Sequence, residues 1–128
     1  MGMSAYAKLQ TMLYSLTTDA VATRPTSWTL SLHSGDPGTD GTANEIADAN
    51  YLRQSIAFSE DVTDPANPFL ENSAVVNFPA AAAAYTVTHI VVWDNADNPQ
   101  VIQQLRTPKS IAIAEVATLS AGELTIGR

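Results

Sequence analysis

Thr86-Val87-Thr88-His89-Ile90-Val91-Val92-Trp93 is the stretch on which the fold turns. Its first half alternates and its second half is continuously apolar and rich in β-branched side chains, the pattern of a central strand covered on both faces. Asp94-Asn95-Ala96-Asp97-Asn98-Pro99 follows, dense in turn formers, so Val101 to Leu105 is expected to return as a hairpin partner. Immediately upstream, Ala80 to Ala84 lies between Pro79 and the β-branched run. So short a segment cannot nucleate an isolated helix despite the propensity of alanine, and a bend or single turn is expected.

Further out, Trp28, Leu30 and Leu32 fall on one side of the alternating run Ser27 to His33, which reads as a half-buried strand after the breaker Arg24-Pro25-Thr26. It ends at the turn signal Ser34-Gly35-Asp36-Pro37-Gly38. Tyr51 to Phe58 also alternates and is expected to be a strand, followed by an acidic, proline-broken loop from Ser59 to Asn67. Ser73 to Phe78 reads as a short strand stopped by Pro79. Ser110 to Val116 and Glu123 to Ile126 supply two more strands, split by Ser120-Ala121-Gly122.

The N-terminal stretch has a different period. Leu9, Met12, Leu13 and Leu16 recur at helical spacing behind a candidate N-cap, Ser4. That stripe either packs on the protein's own sheet or docks on a neighbouring subunit. One helix followed by many short strands predicts a mainly β fold, an antiparallel sandwich or a barrel-like (jelly-roll-like) domain. With 128 residues, a single domain over 1–128 is expected, its helix within 1–20 and its β part over 27–128.

The formal charge is −7 and the six basic residues are scattered singly. Nucleic-acid binding needs clustered cations to displace phosphate counterions, so neither a nucleic acid nor an anionic membrane surface is an expected partner. The sequence contains no Cys, which excludes disulfides, thiol nucleophiles and thiolate metal sites. No leader pattern is read at the N-terminus, and the longest small apolar run, Phe78 to Tyr85, is far short of the ~20 residues of a membrane helix.

His33 and His89 are the only imidazoles, both in expected strands and without the i, i+4 helical pairing of a zinc protease. The acidic runs Asp36 to Gly41 and Asp94 to Asn98 lack the ligand alternation of a calcium loop and read as Asx turns. No nucleophile, base and oxyanion donor fall on adjacent elements, so no catalytic, cofactor-binding or metal residue is assigned and no enzymatic activity is expected. Trp28, Tyr51 and Trp93 would serve a carbohydrate-binding module only if exposed and coplanar.

Taken in order, Leu30-Ser31-Leu32-His33-Ser34-Gly35-Asp36-Pro37-Gly38, Asn44-Glu45-Ile46, Tyr51-Leu52-Arg53-Gln54, Asn72-Ser73-Ala74-Val75-Val76-Asn77-Phe78 and Thr88-His89-Ile90-Val91-Val92-Trp93-Asp94 resemble small structural proteins of tailed bacteriophages and prophages, often labelled tail-fibre or minor tail proteins. That family commonly carries Gly-Gly before the Tyr-x-Arg step, where this chain has Asp48-Ala49-Asn50. The resemblance implies a non-enzymatic virion protein on the outer surface of the particle, made in the host bacterial cytoplasm. A compact unit shorter than a whole fibre suits capsid decoration first. A tail or fibre-attachment component is the alternative, and a small carbohydrate-binding sandwich a further one.

Association is expected on either virion reading. A small core without disulfides points to a homo-oligomer, and analogy with phage decorations and fibres favours a trimer bound to the major capsid protein or a tail protein. The expected contacts are Leu9, Met12, Leu13 and Leu16 on the helix, or Ala81, Ala83 and Tyr85 in the alanine segment, where small side chains permit close approach.

Overall fold

The computed structural model describes residues 2–127. Helix α1 (Ala5–Leu16) precedes nine strands: β1 (Trp28–His33), β2 (Gln54–Ile56), β3 (Phe58–Asp61), β4 (Phe69–Asn72), β5 (Val76–Asn77), β6 (Tyr85–Asp94), β7 (Pro99–Ile111), β8 (Thr118–Leu119) and β9 (Thr125–Ile126). They form three antiparallel sheets with orders β2-β1-β6-β7, β3-β4-β9 and β5-β8. The fold is thus mainly antiparallel β with one N-terminal helix, and the described residues close no barrel.

The expected central strand is central. β6 lies between β1 and β7, and from Ile90 to Asp94 every residue is buried. Period-two geometry sorts that run onto two faces. Ile90 and Val92 share one with Leu30 and Leu32 of β1, and they join Ile56, Val76, Phe78, Ile111 and Leu119 in the apolar core. Val91 and Trp93 share the opposite face with Ser31 and His33, under the loop that leads from β1 to β2.

Three expectations about strands are corrected. Tyr51 to Phe58 is not one strand, because the chain leaves the first sheet at Ala57: Ile56 pairs with Trp28, and Phe58 pairs with Asn72 of the second sheet. A strand that changes sheets is how a sandwich makes a corner. The expected loop from Ser59 to Asn67 begins as strand: Ser59 to Asp61 belong to β3, which pairs with β4 just beyond the loop and closes a hairpin around the segment holding Pro65 and Pro68. Finally, Ser110 to Val116 does not form its own strand. β7 runs continuously to Ile111, and Leu105, Arg106, Thr107 and Pro108 bulge out opposite the single residue Thr88. Pro108 has no N–H to give a ladder, and a bulge tolerates that. Beyond Ile111 the chain turns, with Ala114 at φ 66 and the Glu115 N–H bonded to the Ala112 carbonyl.

Helix α1 begins as read, with Ser4 as its N-cap accepting the Ala7 N–H. Ser4 also donates its hydroxyl to the Pro99 carbonyl, and its N–H bonds Gln100, so the helix start is tied to the edge of β7. Ala7 is the helix's buried residue. Close approach through small Ser4 and Ala7 turns Leu9, Met12 and Leu16 away from the sheet and leaves them exposed, with Leu13 half-buried.

Candidate functional site

The polar groups with most chemical interest lie on the second face of the large sheet. Ser31 Oγ and His33 Nε2 are 2.8 Å apart, and both residues are 0% exposed. His33 Nδ1 lies 2.8 Å from the Ala43 carbonyl oxygen, which can only accept, so Nδ1 carries the hydrogen and Nε2 accepts the Ser31 hydroxyl. The Trp93 indole N–H in turn donates to Ser31 Oγ at 2.8 Å. Burial lowers the His33 pKa, opposed in part by the Ala43 carbonyl and the Glu45 charge, which keeps the ring neutral.

A serine bonded to a histidine is the pair a nucleophilic enzyme needs. Here it does not serve that use. The hydroxyl has no exposed surface, its lone pair is engaged by an indole N–H, and the second imidazole nitrogen is oriented by a backbone carbonyl. The three side chains form a closed structural network. His89, opposite His33 in the register, bonds Thr88 Oγ1 at 2.8 Å through Nδ1. Among the described residues no three His, Asp or Glu side chains come together as a metal site.

The cover over this face is held by a second cluster. Glu45 receives Nε and Nη2 of Arg53, each at 2.9 Å, and the Tyr51 hydroxyl at 2.7 Å. The same hydroxyl accepts the Leu32 N–H at 3.0 Å, while the Tyr51 ring stacks on Phe78 with centroids 6.0 Å apart. Burial raises the Glu45 pKa, but the bonds from Arg53 and Tyr51 outweigh it and hold the carboxyl below its usual range. Burial and the Glu45 bond push the Tyr51 phenol up. The Arg53 guanidinium also sits 4.3 Å above the Trp93 ring. Tyr51 and Arg53 therefore clamp the loop onto β1 and β6. They do not form a sugar platform with Trp93, which is buried at 3% exposure.

The acidic runs behave as turns. Asp94 accepts the Ala96 and Asn98 N–H groups and the Gln100 side-chain amide, while Asp36 and Asp40 each accept an N–H two residues on. Asn72, which opens one of the segments carrying the resemblance but has no role assigned from sequence, is 1% exposed and fixes three segments: its amide donates to Ala74 and Ser120, and its Oδ1 accepts the Leu124 N–H.

Of the expected contact residues, the structure brings Leu9, Met12 and Leu16 to the surface of one helix. Ala81 is buried at 3%, bonded through its backbone to Glu115 and Ala114 and covered by that turn, so it contributes no surface. Ala83 is exposed and Tyr85 half-buried. The alanine segment is held in place by Asp48, whose carboxylate accepts the Ala82 and Ala83 N–H groups at 3.0 and 2.9 Å, and by Asn50, which donates to the Ala80 carbonyl. The Asp48-Ala49-Asn50 departure from Gly-Gly thus supplies a clasp.

Among the described residues the Ser31, His33 and Glu45 side chains are engaged in fixing a loop, and helix α1 leaves apolar surface exposed. The class follows from the family match over nearly the whole chain: a non-enzymatic virion structural protein of a phage fibre. Residues 2–127 match the family described as Podophage GP4 fiber I protein gp80, and the chain belongs to that family. No curated protein matches the sequence. Family membership makes this a structural component of the tail fibre and overturns capsid decoration as the first reading. Chain length and compactness, on which decoration rested, suit a head or a tail equally.

Proposed function

We propose that the chain is a compact subunit of the tail fibre that associates with itself, as a trimer, and attaches the fibre to another tail protein through contacts that include Leu9, Met12, Leu13 and Leu16, with Ala83 and Tyr85 at a second surface. The observation that carries this reading is the helix: Leu9, Met12 and Leu16 are 49%, 52% and 81% exposed on a segment with no acidic residue. A helix normally turns its apolar stripe toward a core, so a stripe left in water calls for a partner. Residues 1–128 act as one domain in this reading, supported by an apolar core that draws on the first sheet, β5 and β8 together.

The test is sedimentation of the purified chain beside Leu9→Asp and Leu16→Asp variants, with cryo-electron microscopy of the virion to locate the subunit. A trimer that dissociates in the variants, and density at the fibre attachment, are expected. A monomer at all concentrations overturns self-association. Two separate thermal transitions overturn the single domain.

A further inference from the structure

The two antiparallel layers gape at the Trp28 end. There an open groove of about 470 Å³ is lined by Trp28, Val92 and Val101 of the first sheet and by Phe58, Leu70 and Ile126 of the second. Leu70 is 41% exposed at its lip. Leu70 pairs with Glu60 across β3 and β4, so a carboxylate shares that face with the groove's apolar wall. The whole segment from Phe58 to Ser73 carries Glu60, Asp61, Asp64 and Glu71 and no Lys or Arg.

The exposed helix face is its complement in both respects. Ala5, Leu9, Met12 and Leu16 follow one another at spacings of four, three and four residues and so lie on one side of α1. Lys8 is exposed beside them. Lys8 and Arg24 against Asp19 make residues 1–27 a stretch of positive balance, whereas the rest of the chain holds twelve carboxylates against four cations. Arg24 lines the same groove beside Met3 and Ala7 of its own copy, so the negative charge that complements Lys8 is the one Glu60 brings to the Leu70 side.

We propose that the occupant of this groove is helix α1 of a second copy, its Leu9, Met12 and Leu16 seated against Trp28, Phe58, Leu70 and Ile126 and its Lys8 facing the Glu60 side. The inference rests on the self-association proposed above and specifies its geometry. Helix and groove are different surfaces, so in a trimer the contact runs head-to-tail around a closed ring, whereas a two-fold dimer would make it only by exchanging both helices. Opposite charge on the two surfaces fixes their register and disfavours helix-to-helix pairing between Lys8-bearing faces.

Because the natural chain has no Cys, single thiols report the contact without background. Met12→Cys and Leu70→Cys place them at exposed positions on the helix and at the groove lip. The two full-length variants are treated with a mild oxidant separately and as a mixture, and sedimentation of each is recorded in parallel. A disulfide-linked dimer formed in the mixture and lost when either variant is alone is the expected result. Dimers formed by Met12→Cys alone mean that helices pair with each other and overturn the proposal. An oligomer that gives no crosslink in the mixture overturns it while leaving self-association standing; a monomer removes both. As a second readout, Lys8→Glu should weaken self-association roughly threefold, the scale of an exposed charge pair. Combining it with Glu60→Lys in the same chain should recover that loss, and no recovery overturns the register.

Discussion

Trp93 donates its indole N–H to Ser31 Oγ across 2.8 Å, joining diagonal neighbours on one face of β6 and β1. That bond settles the direction of the network: with a donor already aimed at its oxygen, the Ser31 hydroxyl turns its hydrogen toward His33 Nε2, and the loop carbonyl of Ala43 completes the chain. The covering loop is thereby tied to the sheet by polar contacts in a place where water does not reach.

Ser31→Ala is expected to destabilise the protein by about 1–3 kcal/mol, since it leaves a buried indole N–H and an imidazole nitrogen without partners. Urea unfolding followed by tryptophan fluorescence checks this: the midpoint should fall with the slope unchanged. An unaltered midpoint would mean that packing alone positions Trp93.

Because His33 is neutral in the fold with its pKa lowered from 6.5 by burial, the unfolded chain binds more protons than the folded one between the lowered value and 6.5. Stability therefore increases with pH through that window, is complete above it, and is lost as pH falls from 6.5 toward the folded pKa. Thermal unfolding should show a lower midpoint at pH 5 than at pH 7. NMR titration of the His33 ring checks the cause directly, and a midpoint above 6.5 contradicts it.

What could be read from sequence followed from side-chain period. β1 and β6 alternate or saturate with apolar residues, so their faces and their central place were legible. β4 was not, because Phe69 and Leu70 sit between Pro68 and Glu71 in a stretch dominated by turn formers, and only pairing with β3 and β9 makes it a strand. Ile111 and Ile113 alternate as a strand would, yet Ile113 is 68% exposed, since the turn at Ala114 bonds back to Ala81. Helical spacing found Leu9, Met12, Leu13 and Leu16 but could not tell which side faces the sheet. That was decided by Ser4 and Ala7, small residues with weak pattern signals. The clamp was legible only as segments, Asn44 to Ile46 and Tyr51 to Gln54, because Glu45 and Arg53 meet through a loop whose path no local rule supplies.

Gly41 and Gly38 make a matched pair for the same loop, with φ of 76 and 75. An added Cβ at Gly41 would lie 3.1 Å from Trp93 Cη2 and 3.2 Å from Val91 Cγ1, whereas at Gly38 it would meet only Asp40 Oδ1 at 3.6 Å. Gly38→Ala should cost the left-handed backbone penalty of about 1–2 kcal/mol. Gly41→Ala should cost more, because the cover must lift from the indole, and a change in near-UV circular dichroism should accompany it. Equal losses at both positions would show that the loop yields without disturbing Trp93.

Asp48 offers a local test of the clasp on the alanine segment. Its carboxyl pKa is lowered because the Ala82 N–H, with those of Ala83 and Asn50, bonds the charged form. The linkage sign is that of a depressed acid: the contribution is present above the ordinary value near 3.8 and fades as pH falls through the folded pKa. The clasp is at the surface, so its removal is expected to loosen the loop and not to unfold the sheets. In Asp48→Ala, the Ala82 and Ala83 amides should exchange with solvent faster than in the natural chain, while amides of β6 from Ile90 to Val92 keep their protection. Asp48→Asn should fall between the two, since an amide oxygen accepts hydrogen bonds without the charge. Unchanged exchange at Ala82 and Ala83 in Asp48→Ala would show that the segment is held by Ala81, Ala114 and Glu115 alone.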